Sequence, residues 1–305
     1  MRKLMAALSV LLIGVAVSAQ TDSERYEQRY DMMVSKLGPA GLGIETILNN
    51  WEQADSTNAK MLQGKFIYLF TKAQTSRVVT KPSSRYLGME PVLTLQDSLG
   101  RDVYYYQENV FDDEMYAQAM QAADKAMRLC PDRLDFRFMK ANAYLAYEKE
   151  NPYMALVFLQ NLVTENAARK TPWSYDGSQA DGTLFEDAMQ EYCYSFYTIG
   201  TTVSYDAFLK LSTQLSKLYP ENIGFVNNIG SYYLVNKDYK TALKYYDKVL
   251  KKHPDDYTAA QNGLLASRKL KNVKLEKKYL ELIVRYGSDK DRMLAQGRLD
   301  ALNLK

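Results

Sequence analysis

An all-α array of about six helix hairpins, closed by a C-terminal helix and interrupted by a small β-hairpin, is the architecture this sequence predicts. Three observations carry it. A phrase of small and aromatic residues recurs at a near-fixed period. Amphipathic segments of helix length are separated by stop-and-cap phrases built from Pro, Asp, Asn and Ser. The composition, 47% hydrophobic and 25% charged, is that of an ordinary folded protein. Length alone, at 305 residues, equally allows two globular domains. The period decides for the array.

The chain opens with Arg2 and Lys3, then an apolar run from Leu4 to Val17, then Val17-Ser18-Ala19 before Gln20. This is the pattern of a secretory signal peptide over residues 1–19, with 20–305 as the mature chain. The apolar run is shorter than the roughly 20 residues a spanning helix needs, so cleavage is favoured over a retained anchor. No cysteine lies near the cleavage point for lipid attachment. The expected location is the periplasm or the exterior, with no integral membrane segment after signal removal. Loss of Arg2 and Lys3 lowers the formal charge from +3 to +1, which gives no reason to expect nucleic acid.

Taken in order, helix pairs are expected at 23–37 and 41–54, 58–75 and 113–130, 133–149 and 151–168, 184–201 and 204–219, 222–236 and 238–252, and 255–270 and 272–286. A capping helix is expected at 289–303, where Arg292, Leu294, Arg298, Leu299 and Leu302 alternate. First helices open after Asp55-Ser56-Thr57, Pro131-Asp132, Pro220-Glu221-Asn222 and Pro254-Asp255-Asp256, whose side chains suit free helix amides. The clearest unit is 223–256: Val226, Ile229, Gly230 and Tyr233 on the first helix, Ala242, Tyr246 and Val249 on the second, then Pro254. Gly230 and Ala242 are small where two helices cross, Tyr233 and Tyr246 fill the space beside the crossing, and Pro254 cannot extend the helix.

These residues resemble the tetratricopeptide repeat, whose pattern is W-x2-L-G-x2-Y, then A-x3-F, then Pro. Fainter echoes are Asn58, Met61, Gly64 and Tyr68; Leu134, Ala141 and Tyr144; and Ala259, Gly263 and Ala266. Second-helix echoes are Ala119, Ala126 and Pro131, and Leu215 with Pro220. The resemblance implies a right-handed superhelical solenoid. It also implies ligands along a concave groove lined by first helices, here Phe138, Asn142 and Leu145, then Asn227, Ser231 and Leu234, then Tyr257, Ala260 and Leu264. Amide and apolar side chains in that groove suit a peptide. The lysine clamp by which some members hold a C-terminal carboxylate is missing, since Asn227 and Ser231 lack flanking lysines.

Two insertions break the array. Residues 76–112 are too long for an inter-helix turn. Within them, Val92-Leu93-Thr94-Leu95 and Val103-Tyr104-Tyr105-Tyr106 flank Asp97-Ser98-Leu99-Gly100, which reads as a β-hairpin. Residues 169–183 hold Trp173, Tyr175, Gly177 and Gly182. Tyr104, Tyr106, Trp173 and Tyr175 stand open to two readings, as plugs over helix ends or as contacts for a partner.

No catalytic constellation or cofactor motif accompanies this pattern, and no metal site is expected. His253 is the single histidine, which removes His-based zinc sites and the Ser-His-Asp triad with a spare imidazole. Gly38-Pro39-Ala40-Gly41-Leu42-Gly43 lacks the Lys-Ser/Thr and the preceding strand of a phosphate loop. Lys240, Lys244, Lys248 and Lys251 form a row read first as a solvated helix face. Cys130 and Cys193 are read as buried free thiols in preference to a bridge, because nothing in their helix positions brings them together. The expected function is a non-enzymatic exported adaptor for a protein or peptide of the cell envelope, of unknown oligomeric state; the alternative is glycan or small-ligand binding by the aromatic insertions.

Overall fold

The computed structural model describes residues 21–304, so the signal peptide expected over 1–19 lies outside the described residues. The described residues form thirteen helices and two small antiparallel sheets. In chain order the first elements are α1 (Asp22–Leu37), α2 (Ile44–Ala54), α3 (Ala59–Ala73), β1 (Gln74–Lys81), β2 (Leu93–Gln96), β3 (Asp102–Phe111) and α4 (Asp113–Leu129). Then follow α5 (Leu134–Glu148), α6 (Tyr153–Ala168), β4 (Ser174–Tyr175), β5 (Ser178–Gln179), α7 (Leu184–Ile199) and α8 (Thr202–Leu218). The chain ends with α9 (Ile223–Val235), α10 (Tyr239–Lys252), α11 (Tyr257–Lys269), α12 (Val273–Tyr286) and α13 (Asp289–Asn303). Every expected helix is present, displaced by a few residues at most. Among the described residues no helix is long and apolar enough to cross a membrane.

Capping explains most of the starts. Thr21 and Glu24 exchange bonds in a capping box at 3.2 and 2.8 Å. Asn222, Asp238, Asp256, Asn272 and Ser288 each accept an amide of the helix that follows. Two expected caps differ. Asn58, not Asp55-Ser56-Thr57, caps α3, accepting the Met61 amide at 3.0 Å, while Asp55 folds its own turn by accepting the Thr57 amide at 3.1 Å. Asp132 caps nothing: its carboxylate accepts the Ser174 hydroxyl at 2.8 Å and so ties the second insertion to the start of α5.

Successive helices pack against one another along the chain except at the second insertion, where α6 packs on α8 rather than on α7; α9 also touches α7 and α11. The two pairs α9/α10 and α11/α12 repeat the same details. A Cβ on Gly230 would stand 2.6 Å from the Tyr246 ring, and one on Gly263 would meet Tyr279 closer still. Both tyrosines are fully buried. Lys237 and Lys271 hold corresponding left-handed turn positions, with φ of 64° and 54°. Gly64 differs from this pattern, since its close neighbours are Tyr30 of α1 and Leu48 of α2.

The first insertion is a three-stranded sheet of order β1-β3-β2 where a two-stranded hairpin was expected. β2 and β3 lie close to where the sequence placed them, but β1 was not expected: its first two residues fell in a helix reaching residue 75 and the rest in the insertion. The helix stops at Ala73, Gln74 turns to φ −94° and ψ 130°, and Ala73 accepts the Asp112 amide at 2.8 Å. The ladder therefore starts at the ends of α3 and α4. Register runs from Gln74 opposite Phe111 to Lys81 opposite Tyr104, with Leu93–Gln96 on the other side opposite Tyr105–Asp102. The second insertion makes a two-residue ladder, β4 with β5, turned at Asp176 and Gly177, both at positive φ.

Candidate functional site

A groove with a polar rim and an apolar floor lies between α11 and α13. On a 3.6-residue helix, Tyr257, Gln261, Leu264, Leu265 and Arg268 share one side of α11. Opposite them α13 presents Asp291 and Leu294, and α12 supplies Leu280 and Ile283 beneath. The groove has a volume of about 370 Å³. From Tyr257 to Arg268 the helix rises about 16 Å, the length of about five residues of extended chain. Leu265 and Leu294 are 45% and 66% exposed, so the apolar middle of this groove is open to a partner.

Its two ends are polar and opposite in charge. At the Arg268 end, the buried Glu276 carboxylate accepts Arg268 at 3.0 Å and Arg298 at 2.9 Å, leaving one positive charge in excess. Arg298 foremost, with Arg268, holds the Glu276 carboxyl below its ordinary range in spite of burial. At the other end Ser288 and Tyr257 hold Asp291 low by hydrogen bonding. Burial, followed by the Asp291 carboxylate, pushes the Tyr257 hydroxyl up to about 12. Tyr257 is therefore a neutral hydroxyl at any physiological pH. The geometry suits a short extended segment with an apolar centre.

Of the expected groove residues, Tyr257 and Leu264 line this cavity. Asn142 is exposed on α5. Leu145 lines a different cavity, beside the first insertion. Phe138 is half-buried and meets the rings of Tyr192 at 5.9 Å and Tyr175 at 6.3 Å, which brings together one groove residue and one insertion residue. Leu234 and Ala260 pack into the core around α9 to α13. Asn227 needs correcting as a surface contact. It is 7% exposed, and its amide donates to Asp256 Oδ1 at 3.2 Å, joining α9 to the cap of α11. Ser231 is likewise turned inward, 3.4 Å from the Tyr246 hydroxyl.

Two aromatic contact candidates are also corrected. Tyr106 is fully buried, with its hydroxyl donating to the Ser83 carbonyl at 2.8 Å, because its side chain is on the face of β3 that the 82–92 segment covers. Trp173 is 6% exposed, donates to Asn166 Oδ1 at 2.7 Å and lies between the guanidiniums of Arg169 and Arg137, at 3.6 and 4.4 Å from its ring. Both are plugs. Tyr104 is half-buried, and Tyr175, 42% exposed, is the more accessible of the four. Cys130 and Cys193 are free thiols. The residues that sequence reasoning missed are Gln261, Arg268 and Asp291; the signal for the first two was the 257–261–264–268 spacing on one helix face.

On this geometry the chain is a mostly helical protein of packed helix pairs carrying a small antiparallel sheet. Comparison with protein-family models and with curated proteins found no match to this chain.

Proposed function

We propose that this chain is an exported, non-catalytic scaffold of the tetratricopeptide-repeat type, a right-handed superhelical solenoid that binds a protein or peptide of the cell envelope along its first-helix groove. The observation that carries the reading is the α11–α13 groove, five extended residues long, apolar in the middle and oppositely charged at its ends. The matching Gly230–Tyr246 and Gly263–Tyr279 approaches support the repeat reading. The glycan alternative keeps Tyr104 and Tyr175 but has lost the faces of Tyr106 and Trp173.

The test is site-specific photocrosslinking in the producing cell, with a benzophenone side chain in place of Leu265, Leu294 or, as an outward control, Lys244. The proposal expects one discrete adduct from both groove positions and none from Lys244. Adducts from Lys244 alone, or from none of the three, would overturn it. N-terminal sequencing of the mature protein should begin at Gln20; a chain retaining Met1 would refute export by cleavage.

A further inference from the structure

We propose that a second peptide site lies at the first insertion, where the open edge of β3 adds a strand from an acidic partner peptide and a neighbouring cavity takes one of its apolar side chains. The main-chain geometry leads. Asp112 donates to Ala73 at 2.8 Å, and with Val110 opposite Thr75 and Glu108 opposite Arg77, even-numbered residues of β3 turn their N–H and C=O groups towards β1. On the opposite side the Tyr105 carbonyl accepts the Val92 amide at 2.8 Å, so odd-numbered residues face away from β1. β2 reaches only to Leu93, opposite Tyr105. Gln107 and Asn109 therefore point their main-chain groups at an edge with no strand on it among the described residues. Both are exposed, no proline stands on this stretch of β3, and Lys149 beside it lies 3.8 Å from the Glu108 carboxylate.

Gln107 and Asn109, with Glu108 between them, also line a cavity of about 200 Å³, completed by Leu145 and Ala146 of α5, Lys149 just beyond it, Ile199 of α7, and Leu87 with Met89. That volume is below the range of small-molecule pockets and suits a single large apolar side chain. The wall is held in place. Tyr86 and Met89 close a tight hairpin whose Gly88 is pressed against α7: a Cβ there would stand 2.6 Å from the Thr198 carbonyl oxygen. Leu87 takes φ 50°, a left-handed conformation that a leucine adopts only where its surroundings impose it.

Charge identifies the partner further. The buried Glu108 carboxylate is 2.8 Å from Arg77, 3.8 Å from Lys149 and 3.9 Å from Lys81, and it accepts the Tyr86 hydroxyl at 3.2 Å. Three cations around one carboxylate leave a positive rim, even with Glu150 accepting the same tyrosine hydroxyl at 3.1 Å. An extended peptide with an apolar residue between acidic ones meets all three features.

The test uses blocked heptapeptides, Asp-Thr-Thr-Leu-Thr-Thr-Asp and its variants, added to the mature protein while amide hydrogen exchange is followed residue by residue. The leucine peptide should slow exchange at Gln107 and Asn109 at least tenfold at saturation. Replacing the central leucine with alanine, N-methylating it, or exchanging the terminal aspartates for lysines should each abolish most of that protection. Asn109→Pro removes an outward amide without breaking the β1 ladder and should eliminate binding; Ala146→Met fills the cavity and serves if the proline variant does not fold. Equal binding by the N-methylated peptide, or no slowing at these amides with any peptide, overturns the proposal. Concentration-dependent protection without peptide assigns the edge to a second copy of the chain and overturns it as well. The groove between α11 and α13 is read by crosslinking, so the two proposals succeed or fail separately.

Discussion

Replacing Gly230 with alanine tests the close helix crossing on which the repeat reading depends. The new Cβ would stand 2.6 Å from Tyr246 Cε1 and 3.0 Å from Cδ1 and Cζ. Favourable carbon contacts begin near 3.5 Å, so the ring must retreat by about 0.9 Å. Tyr246 is fully buried, and its hydroxyl is 3.4 Å from Ser231 Oγ, so retreat means displacing α10 from α9. Overpacking of this kind costs about 1–3 kcal/mol. Alanine returns about 1 kcal/mol over glycine inside a helix, leaving a net loss of up to about 2 kcal/mol. Gly297 of α13 is the control, because nothing lies within 4 Å of a Cβ there. Gly297→Ala should gain about 0.5–1 kcal/mol from propensity alone. Urea denaturation followed by backbone circular dichroism measures both, with equal slopes required before midpoints are compared. If Gly230→Ala stabilises as much as Gly297→Ala does, the tight crossing is wrong.

Glu276→Gln should destabilise by about 1–3 kcal/mol, reduced from a fully buried pair because Arg268 and Arg298 are about half exposed. Since folding depresses the Glu276 pKa below its ordinary 4.5, its contribution is complete above that pH and is lost as pH falls through the lower folded value. Acid titration of the variant should therefore show a shallower loss of stability below about pH 4.5 than the unaltered chain, measured as urea midpoint against pH. Trp173→Ala should cost about 3–5 kcal/mol, with thermal melting as the assay; a change under 1 kcal/mol would return Trp173 to the list of surface contacts. Burial pushes the Cys193 thiol up to about 12, so Ellman's reagent should leave it unmodified until the protein unfolds. Rapid labelling of Cys193 in the native protein would contradict its packing.

Helix pairs were legible because their signals are local: caps and apolar spacing lie within one or two turns, and the glycine–tyrosine complement lies within one hairpin. β1 was not legible, because Gln74–Lys81 follows α3 without glycine or proline and has just one alternation of exposed and covered residues to offer. The burial of Tyr106 and Trp173 was not legible either. An aromatic residue in an insertion is a plug or a contact according to whether the insertion folds back, and that is seen in its contacts with Ser83 for Tyr106 and with Arg137 of α5, besides the nearby Arg169, for Trp173. Asn227 shows the same limit from the other side. It lies on α9, but the neighbouring Asp256 cap claims its amide and takes it out of solvent.

The place of the first insertion follows from the physics of the pair it interrupts. α3 and α4 pack on each other as closely as helices joined by short turns, although residues 74–112 separate them. Closing a loop of that length in place of a three-residue turn costs only about 2 kcal/mol more, and the sheet does not leave even that as an open loop. The Asp112–Ala73 bond starts the β1–β3 ladder directly on the helix ends, so the strands continue the antiparallel course that the helices have set. Lengthening the hairpin outward adds ladder bonds without disturbing the α3–α4 contact. The growth has to stop where the sheet meets the rest of the chain, and it does so at Tyr86, Gly88 and Glu108, which lean on Glu150 and Thr198 at the ends of the next two first helices. The half of β3 left uncovered by β2 is the half that faces this junction. Gln107 and Asn109 belong both to that open edge and to the lining of the cavity beside it, which is why edge and cavity are proposed as one site.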